Sequence, residues 1–579
     1  MTSSTAIPAD EVSNLDRLFQ AQQARFTGGI SPASLGLAYL DWLMHLSNTP
    51  GKQADLIEQA WRNGIQYASY AARSADPQAQ PCVEPRPQDQ RFTNAQWHDF
   101  PFNLLSQSFL LMEQWWQSAT TGIPGVSHHH EDVVSFLARQ WLDMLAPSNF
   151  IQTNPEVLEA TIAQGGANLV RGMSDFQEDV QRTLTNQKPV GTEQFVVGKT
   201  VGVTPGKVVY RNRLIELLQY SPTTETVYAE PILIVPAWIM KYYILDLSQG
   251  NSLVKYLVDH GHTVFMISWK NPGSEDRDLG LEDYRTLGIM DALKAISAIA
   301  PSHKIHTVGY CLGGTLLSIA TAAMARDHDE RISSMTLFAA QTDYTEAGEL
   351  LLFIDESQVT YLENVMWEQG YLDATQMAAA FQMLHSNDLI WSRVIHEYLL
   401  GQREPLSDLM AWNADTTRLP YRMHSEYLHN LFLHNDLFEG RYRVDDRPIA
   451  LTDIRVPIFA VGTVRDHVAP WRSVYKITLL TDADVTFLLT SGGHNAGIVS
   501  EQGHPHRSYQ YATRLADEPY IDPGTWQAAM PVQEGSWWPT WEGWLAKHSS
   551  ERVAPPPLGA PQCGYPHLAD APGTYVLQS

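Results

Sequence analysis

The chain has 579 residues, 44% of them hydrophobic, and a net charge of -25 at pH 7. That acidity excludes nucleic acid as a partner, because binding phosphates along a backbone needs clustered Lys and Arg. Cys82, Cys311 and Cys563 lie far apart and follow no metal or disulfide spacing, which excludes a disulfide-stapled secreted domain.

Met1 to Phe19 lacks a basic start followed by an apolar core, and no apolar run approaches bilayer-spanning length. These features predict a soluble cytoplasmic protein with no transmembrane segment. Up to about residue 195 the pattern predicts a mainly helical domain. Phe102, Leu105, Phe109, Met112 and Trp116 recur at three- and four-residue spacing, and Val133, Phe136, Leu137, Trp141 and Met144 repeat the pattern, predicting two amphipathic helices. Such stripes serve either core packing or a surface for a partner or an apolar product, and both readings stay open. Between them, Ser127-His128-His129-His130-Glu131-Asp132 reads as a polar helix start, since these histidines are not one helical turn apart as a shared metal would need.

From about residue 196 the texture changes. Val196 to Val203 and Lys207 to Tyr210, around Gly202 and Pro205-Gly206, predict an antiparallel hairpin at a sheet edge. Short apolar runs follow at Ile232 to Val235, Thr263 to Ile267, Ile305 to Val308, Ile458 to Val461 and Val485 to Leu489, separated by helical segments. Continuous apolar strands alternating with helices mark a buried parallel sheet. After the run Met335 to Ala340, an insertion from about 343 to 440 is longer than a crossover needs and predicts a cap or lid. Trp526, Trp537, Trp538, Trp541 and Trp544 are expected to pack the last helix, and the Pro-rich tail from about 553 to 579 to be extended or partly ordered.

Gly309-Tyr310-Cys311-Leu312-Gly313-Gly314 joins the run ending at Val308 to a helical stretch, Thr315 to Arg326. A β-branched run, a small-residue turn and a helix form the nucleophile elbow of α/β-hydrolase folds, here with a thiol in place of the hydroxyl. Unpaired N–H groups at a helix N-terminus favour a thiolate, although a free cysteine packed as a small hydrophobe is the ordinary alternative. Asp466 follows the run ending at Val461, and His494 lies in Ser491-Gly492-Gly493-His494-Asn495 after the next run. Nucleophile, acid, histidine is the α/β-hydrolase order, so His494 is expected to take the Cys311 proton and Asp466 to hold its ring. His467 competes as base but sits on the wrong loop, and is expected to support the site from outside it. Two backbone donors should form the oxyanion hole: the N–H of Leu312, and one from Pro236-Ala237-Trp238-Ile239, with that of Ile239 expected.

With these boxes in view, the chain resembles the polyhydroxyalkanoate synthases, nearest to the long single-subunit type. The resemblance rests on Gly309 to Gly314, Pro236-Ala237-Trp238-Ile239-Met240-Lys241-Tyr242-Tyr243-Ile244-Leu245-Asp246-Leu247, Ser268-Trp269-Lys270-Asn271-Pro272, Asn387-Asp388-Leu389-Ile390-Trp391, Trp412-Asn413-Ala414-Asp415 and Asp466-His467-Val468-Ala469-Pro470-Trp471. It implies an α/β-hydrolase fold, Cys311 as nucleophile, His494 as general base and Asp466 as third catalytic residue. It also implies polymerisation of (R)-3-hydroxyacyl-CoA into polyester with release of CoA, no cofactor, a homodimer, and association with intracellular granules. In the family the aspartate is also thought to act on the 3-hydroxyl of the incoming acyl group. Ala237, Met240 and Asn495 depart from the family's usual residues and bear on substrate length rather than reaction class. A thioesterase or polyester depolymerase on the same fold, or a non-catalytic granule protein, is the alternative.

Overall fold

The computed structural model describes residues 9–76, 79–86, 89–185, 187–301, 303–373, 376 and 390–579, the first five of them by backbone alone. Asn387, Asp388 and Leu389 of the fourth family box lie outside these residues. Two compact units divide the chain, one holding residues 1–25, 191–377 and 406–579, the other 26–190 and 378–405.

Helices α1 (Ala9–Thr27), α2 (Pro32–Ser47), α3 (Pro50–Ala71), α4 (Phe102–Thr120), α5 (His128–Met144), α6 (Pro155–Ala163) and α7 (Ala167–Leu184) precede the sheet. The polar start of α5 is a cap: the Ser127 hydroxyl accepts from the His130 N–H at 3.3 Å. The two stripes are turned from their expected faces. Phe109, Val133 and Phe136 are buried, whereas Met112, Trp141 and Met144 are exposed. The cause is Arg91, whose buried guanidinium reaches Asp89 and Glu113 at 2.8 Å and Asp143 at 3.0 Å, so polar positions of α4 and α5 face inward. Burial pushes the Asp143 carboxyl up to about 6, although Arg91 opposes the shift. In the same unit residues 390–405 lie along α7, where Asn168 donates to the Leu399 carbonyl at 2.8 Å and Arg403 pairs with Asp179 at 3.0 Å. The first helix goes instead with the sheet unit: its Ala24 packs on Tyr361 and Val365, and Arg17 lies over the Trp367 ring.

The sheet strands are β1 (Gly206–Arg211), β2 (Ile215–Tyr220), β3 (Ile232–Val235), β4 (Val264–Trp269), β5 (Ile305–Tyr310), β6 (Ile332–Phe338), β7 (Ile458–Thr463), β8 (Val485–Thr490), β9 (Ser508–Arg514), β10 (Gln533–Glu534) and β11 (Ala569–Asp570). Their spatial order is β10-β9-β8-β7-β6-β5-β3-β4-β2-β1-β11. The block from β8 through β4 is parallel and the outer strands are antiparallel. Alternation sorts the core onto two faces. Leu233, Phe265, Leu337, Ala460 and Phe487 meet helices α8 (Asp291–Ile299) and α9 (Leu312–Arg326). Ile234, Met266, Val308, Phe338, Phe459 and Leu488 face the opposite layer, where Trp537 and Trp541 pack on Phe338.

The hairpin lies further along than expected: β1 pairs with β2, while Val197 and Val201 close a tight turn through Gly198 N–H to the Val201 carbonyl at 2.7 Å. Asn212 makes the difference, its side-chain carbonyl capping the N–H groups of Leu214 at 2.8 Å and Ile215 at 2.9 Å so that the chain reverses there. The C-terminal tail is docked. Its β11 pairs with β1, and the buried carboxylate of Glu216 accepts from the N–H groups of Thr574 at 2.8 Å and Tyr575 at 2.9 Å.

Candidate active site

Cys311 sits between β5 and α9 with φ 52 and ψ -123. A non-glycine residue at positive φ costs about 1–3 kcal/mol and persists only where its surroundings enforce it. Here the Cys311 N–H donates to the Phe338 carbonyl at 2.9 Å. The flanking glycines are required by contact: a Cβ on Gly309 would lie 2.3 Å from the Gly314 Cα, and one on Gly313 would lie 2.1 Å from the Val235 carbonyl oxygen. The start of α9 is thereby seated against the loop after β3.

Asp466 follows β7 and its side chain is fully buried. One oxygen accepts from the N–H groups of Val468 at 2.9 Å and Ala469 at 2.8 Å. The other accepts from the Thr463 hydroxyl at 3.0 Å and lies 2.8 Å from Nδ1 of His494. Burial opposes ionisation, yet the charge and hydrogen bond of His494 and the two amides hold the carboxyl below its ordinary range. The carboxylate assigns the proton to Nδ1 and directs Nε2 away from it. Burial likewise opposes the imidazolium. The charges of Asp466 and Cys311 and hydrogen bonds to both overcome it, holding His494 well above the ordinary histidine value. Cys311, His494 and Asp466, drawn from three strand ends, are therefore brought together.

His467 directly follows Asp466, and its backbone carbonyl accepts from the Glu349 N–H at 3.1 Å. Leu312 is the first residue of α9, where an amide has no acceptor within its own helix. Ile239 lies in the loop after β3, and that loop is fixed by its carbonyl accepting from the Thr417 N–H at 3.3 Å and by the Trp238 carbonyl accepting from the Thr417 hydroxyl at 2.5 Å.

Several neighbours carry no sequence signal of their own. The Tyr310 phenol donates to the side-chain carbonyl of Asn495, whose amide donates to Asn413 at 3.2 Å. The Tyr310 and His494 ring centroids are 5.7 Å apart. Adjacency to Cys311 and His494 was the one clue to this pair. Tyr344 and Tyr427, buried residues of the insertion, have phenols raised by burial first and by the Cys311 charge among the remaining causes. The indoles of Trp537 and Trp538 donate to the carbonyls of Gly497 at 3.0 Å and Ile498 at 3.1 Å, bracing the loop that carries His494.

Among the described residues no helix is long and apolar enough to cross a membrane. Residues 88–257 match the family model described as Poly-beta-hydroxybutyrate polymerase (PhaC) N-terminus, residues 10–52 that described as Poly-beta-hydroxybutyrate polymerase N terminal, and residues 230–500 the alpha/beta hydrolase fold. The chain is 42% identical to the Poly(3-hydroxyalkanoate) polymerase of Methylorubrum extorquens, an alignment covering 88% of this chain and 84% of the relative. It is 34% identical to the Poly(3-hydroxyalkanoate) polymerase subunit PhaC of Cupriavidus necator, covering 84% of this chain and 83% of the relative.

Proposed function

The chain belongs to the poly(3-hydroxyalkanoate) polymerase family, and on that footing we propose that it polymerises (R)-3-hydroxyacyl-CoA through an acyl thioester on Cys311. The observation that carries the reading is the 2.8 Å pairing of His494 with Asp466 beside a thiol at a strained strand-to-helix turn.

His494 takes the Cys311 proton, and the thiolate attacks the thioester carbonyl. The tetrahedral oxyanion is received by the N–H groups of Leu312 and Ile239. The carbon–sulfur bond to coenzyme A breaks and the departing sulfur takes the proton from His494. A hydroxyl of a second hydroxyacyl unit or of the chain then gives its proton to His494 and attacks the enzyme thioester. An ester bond forms, the bond to the Cys311 sulfur breaks, and the thiol is restored by the same proton. Sulfur-to-sulfur transfer is close to thermoneutral, which suits a waiting acyl-enzyme. Asp466 orients His494 and stabilises its charged form. The full engagement of both its oxygens supports this over direct contact with substrate.

Homodimerisation and attachment to polyester granules in the cytoplasm belong to the same reading. The exposed stripes Ile57, Trp61 and Ile65 on α3 and Val170, Met173, Val180 and Leu184 on α7 support an apolar contact surface.

Purified protein incubated with (R)-3-hydroxybutyryl-CoA should release CoA and yield solvent-extractable polymer. CoA with free acid alone would make it a hydrolase, and no CoA would leave it a non-catalytic granule protein.

A further inference from the structure

A coenzyme A thioester carries phosphates, and a chain of net charge -25 repels them on average. Attraction must therefore come from a local exception. Two arginines provide one at the carboxyl edge of the parallel sheet, where ligands of such sheets bind. Arg465 lies in the loop after β7, and its N–H donates to the Gly492 carbonyl at 2.9 Å. Arg507 immediately precedes β9, and its Nη1 would lie 3.0 Å from a Cβ on Gly492. Both thus flank Gly492-Gly493, directly ahead of His494.

Neither guanidinium lies within ion-pair distance of a carboxylate among the described residues. Most other arginines of this acidic chain are paired, as Arg91, Arg211, Arg285, Arg331 and Arg403 show. Arg507 is half-buried, its Nε has no partner, and its pKa is lowered by burial first, with the charge of Arg465 also lowering it against the pull of Glu501. Glu501 is itself engaged by Nδ1 of His504 at 2.8 Å. Two unneutralised like charges, one of them partly desolvated, beside a reaction centre are an arrangement that an anion relieves.

We propose that Arg465 and Arg507 form the subsite that takes the phosphate groups of the acyl-CoA substrate. The inference rests on the polymerase reading above. It assigns the two residues to substrate capture, outside the bond-making steps.

The test compares Arg465→Gln, Arg507→Gln and the double variant on two substrates, (R)-3-hydroxybutyryl-CoA and the (R)-3-hydroxybutyryl thioester of N-acetylcysteamine, which has no phosphate. With the CoA substrate, KM should rise about tenfold per arginine, the loss expected for one charge-assisted contact, while kcat holds. With the phosphate-free substrate, the variants should match the parent. The rise of KM with salt should be shallower in the double variant, and Arg465→Lys should retain much of the capture. Equal losses on both substrates would overturn the proposal by making the arginines props of the His494 loop, and so would an unchanged KM for the CoA substrate. A parent protein that frees no thiol from either substrate would instead overturn the polymerase reading, and this inference with it.

Discussion

The hydroxyl of Tyr310 donates to the side chain of Asn495, so the residue before the thiol is tied to the residue after the imidazole. With the Tyr310 ring 5.7 Å from that of His494, this bond fixes how the imidazole faces Cys311. Asn495→Leu leaves a buried phenol without an acceptor, at a penalty of about 1–3 kcal/mol. We expect kcat to fall about tenfold with KM held. Tyr310→Phe should lose less, and the double variant should be no worse than Asn495→Leu alone. Additive losses in that double-mutant cycle would deny the coupling.

Cys311 at φ 52 reverses an ordinary preference. Elsewhere in a helix or strand Gly is destabilising relative to Ala by about 0.5–1 kcal/mol. Here Cys311→Gly should be more stable than Cys311→Ala by about 1 kcal/mol, because only glycine occupies this backbone region freely. Both variants should lose CoA release. Denaturant midpoints of the pair check the order, and turnover in either would remove Cys311 as nucleophile.

The Asp466–His494 pair titrates with two signs. The lowered pKa of Asp466 gives stability that is present above its ordinary 3.8 and is lost as pH falls through the lowered value. The raised pKa of His494 gives stability that is full below its ordinary 6.5 and is lost as pH rises through the raised value. Asp466→Asn should lower the His494 pKa and cut kcat by about 100- to 10,000-fold. Nuclear magnetic resonance titration of the His494 ring reads the first effect directly. An unmoved ring pKa would leave Asp466 without an orienting role.

His306 on β5 is buried between the hydroxyls of Ser334 at 2.7 Å and Ser549 at 3.1 Å. Burial lowers its pKa from 6.5 to about 4 despite the charge of Glu230. Its contribution is therefore present above pH 6.5 and is lost as pH falls toward 4, a change of about 3 kcal/mol. His306→Asn should flatten the stability profile between these limits, measured by thermal unfolding across pH. A profile as steep as the parent's would place the acid sensitivity elsewhere.

The centre of the sheet was legible because β3 through β8 are buried on both faces and so read as unbroken apolar runs. The placement of Cys311, Asp466 and His494 at strand ends followed from those runs and from glycines that close contacts demand. What escaped the sequence depends on distant partners. Arg91 rotates the stripes of α4 and α5 by drawing Glu113 and Asp143 inward, an effect that no periodicity within either helix encodes. Strand β11 is two residues long and pairs with β1, and the segment just after it is held at Thr574 by the Glu216 carboxylate some 358 positions away. The subsite arginines are ordinary in sequence, and only the turn at Gly492 brings them side by side.

Pairing of Ala569–Asp570 with β1 covers what would otherwise be the open rim of the sheet. Shortening the chain ahead of that point would bare the carbonyl groups of Gly206 and Val208, which accept from the N–H groups of Ala571 and Leu568, a template on which other copies can stack. The final segment thus acts as a guard of this rim against clumping.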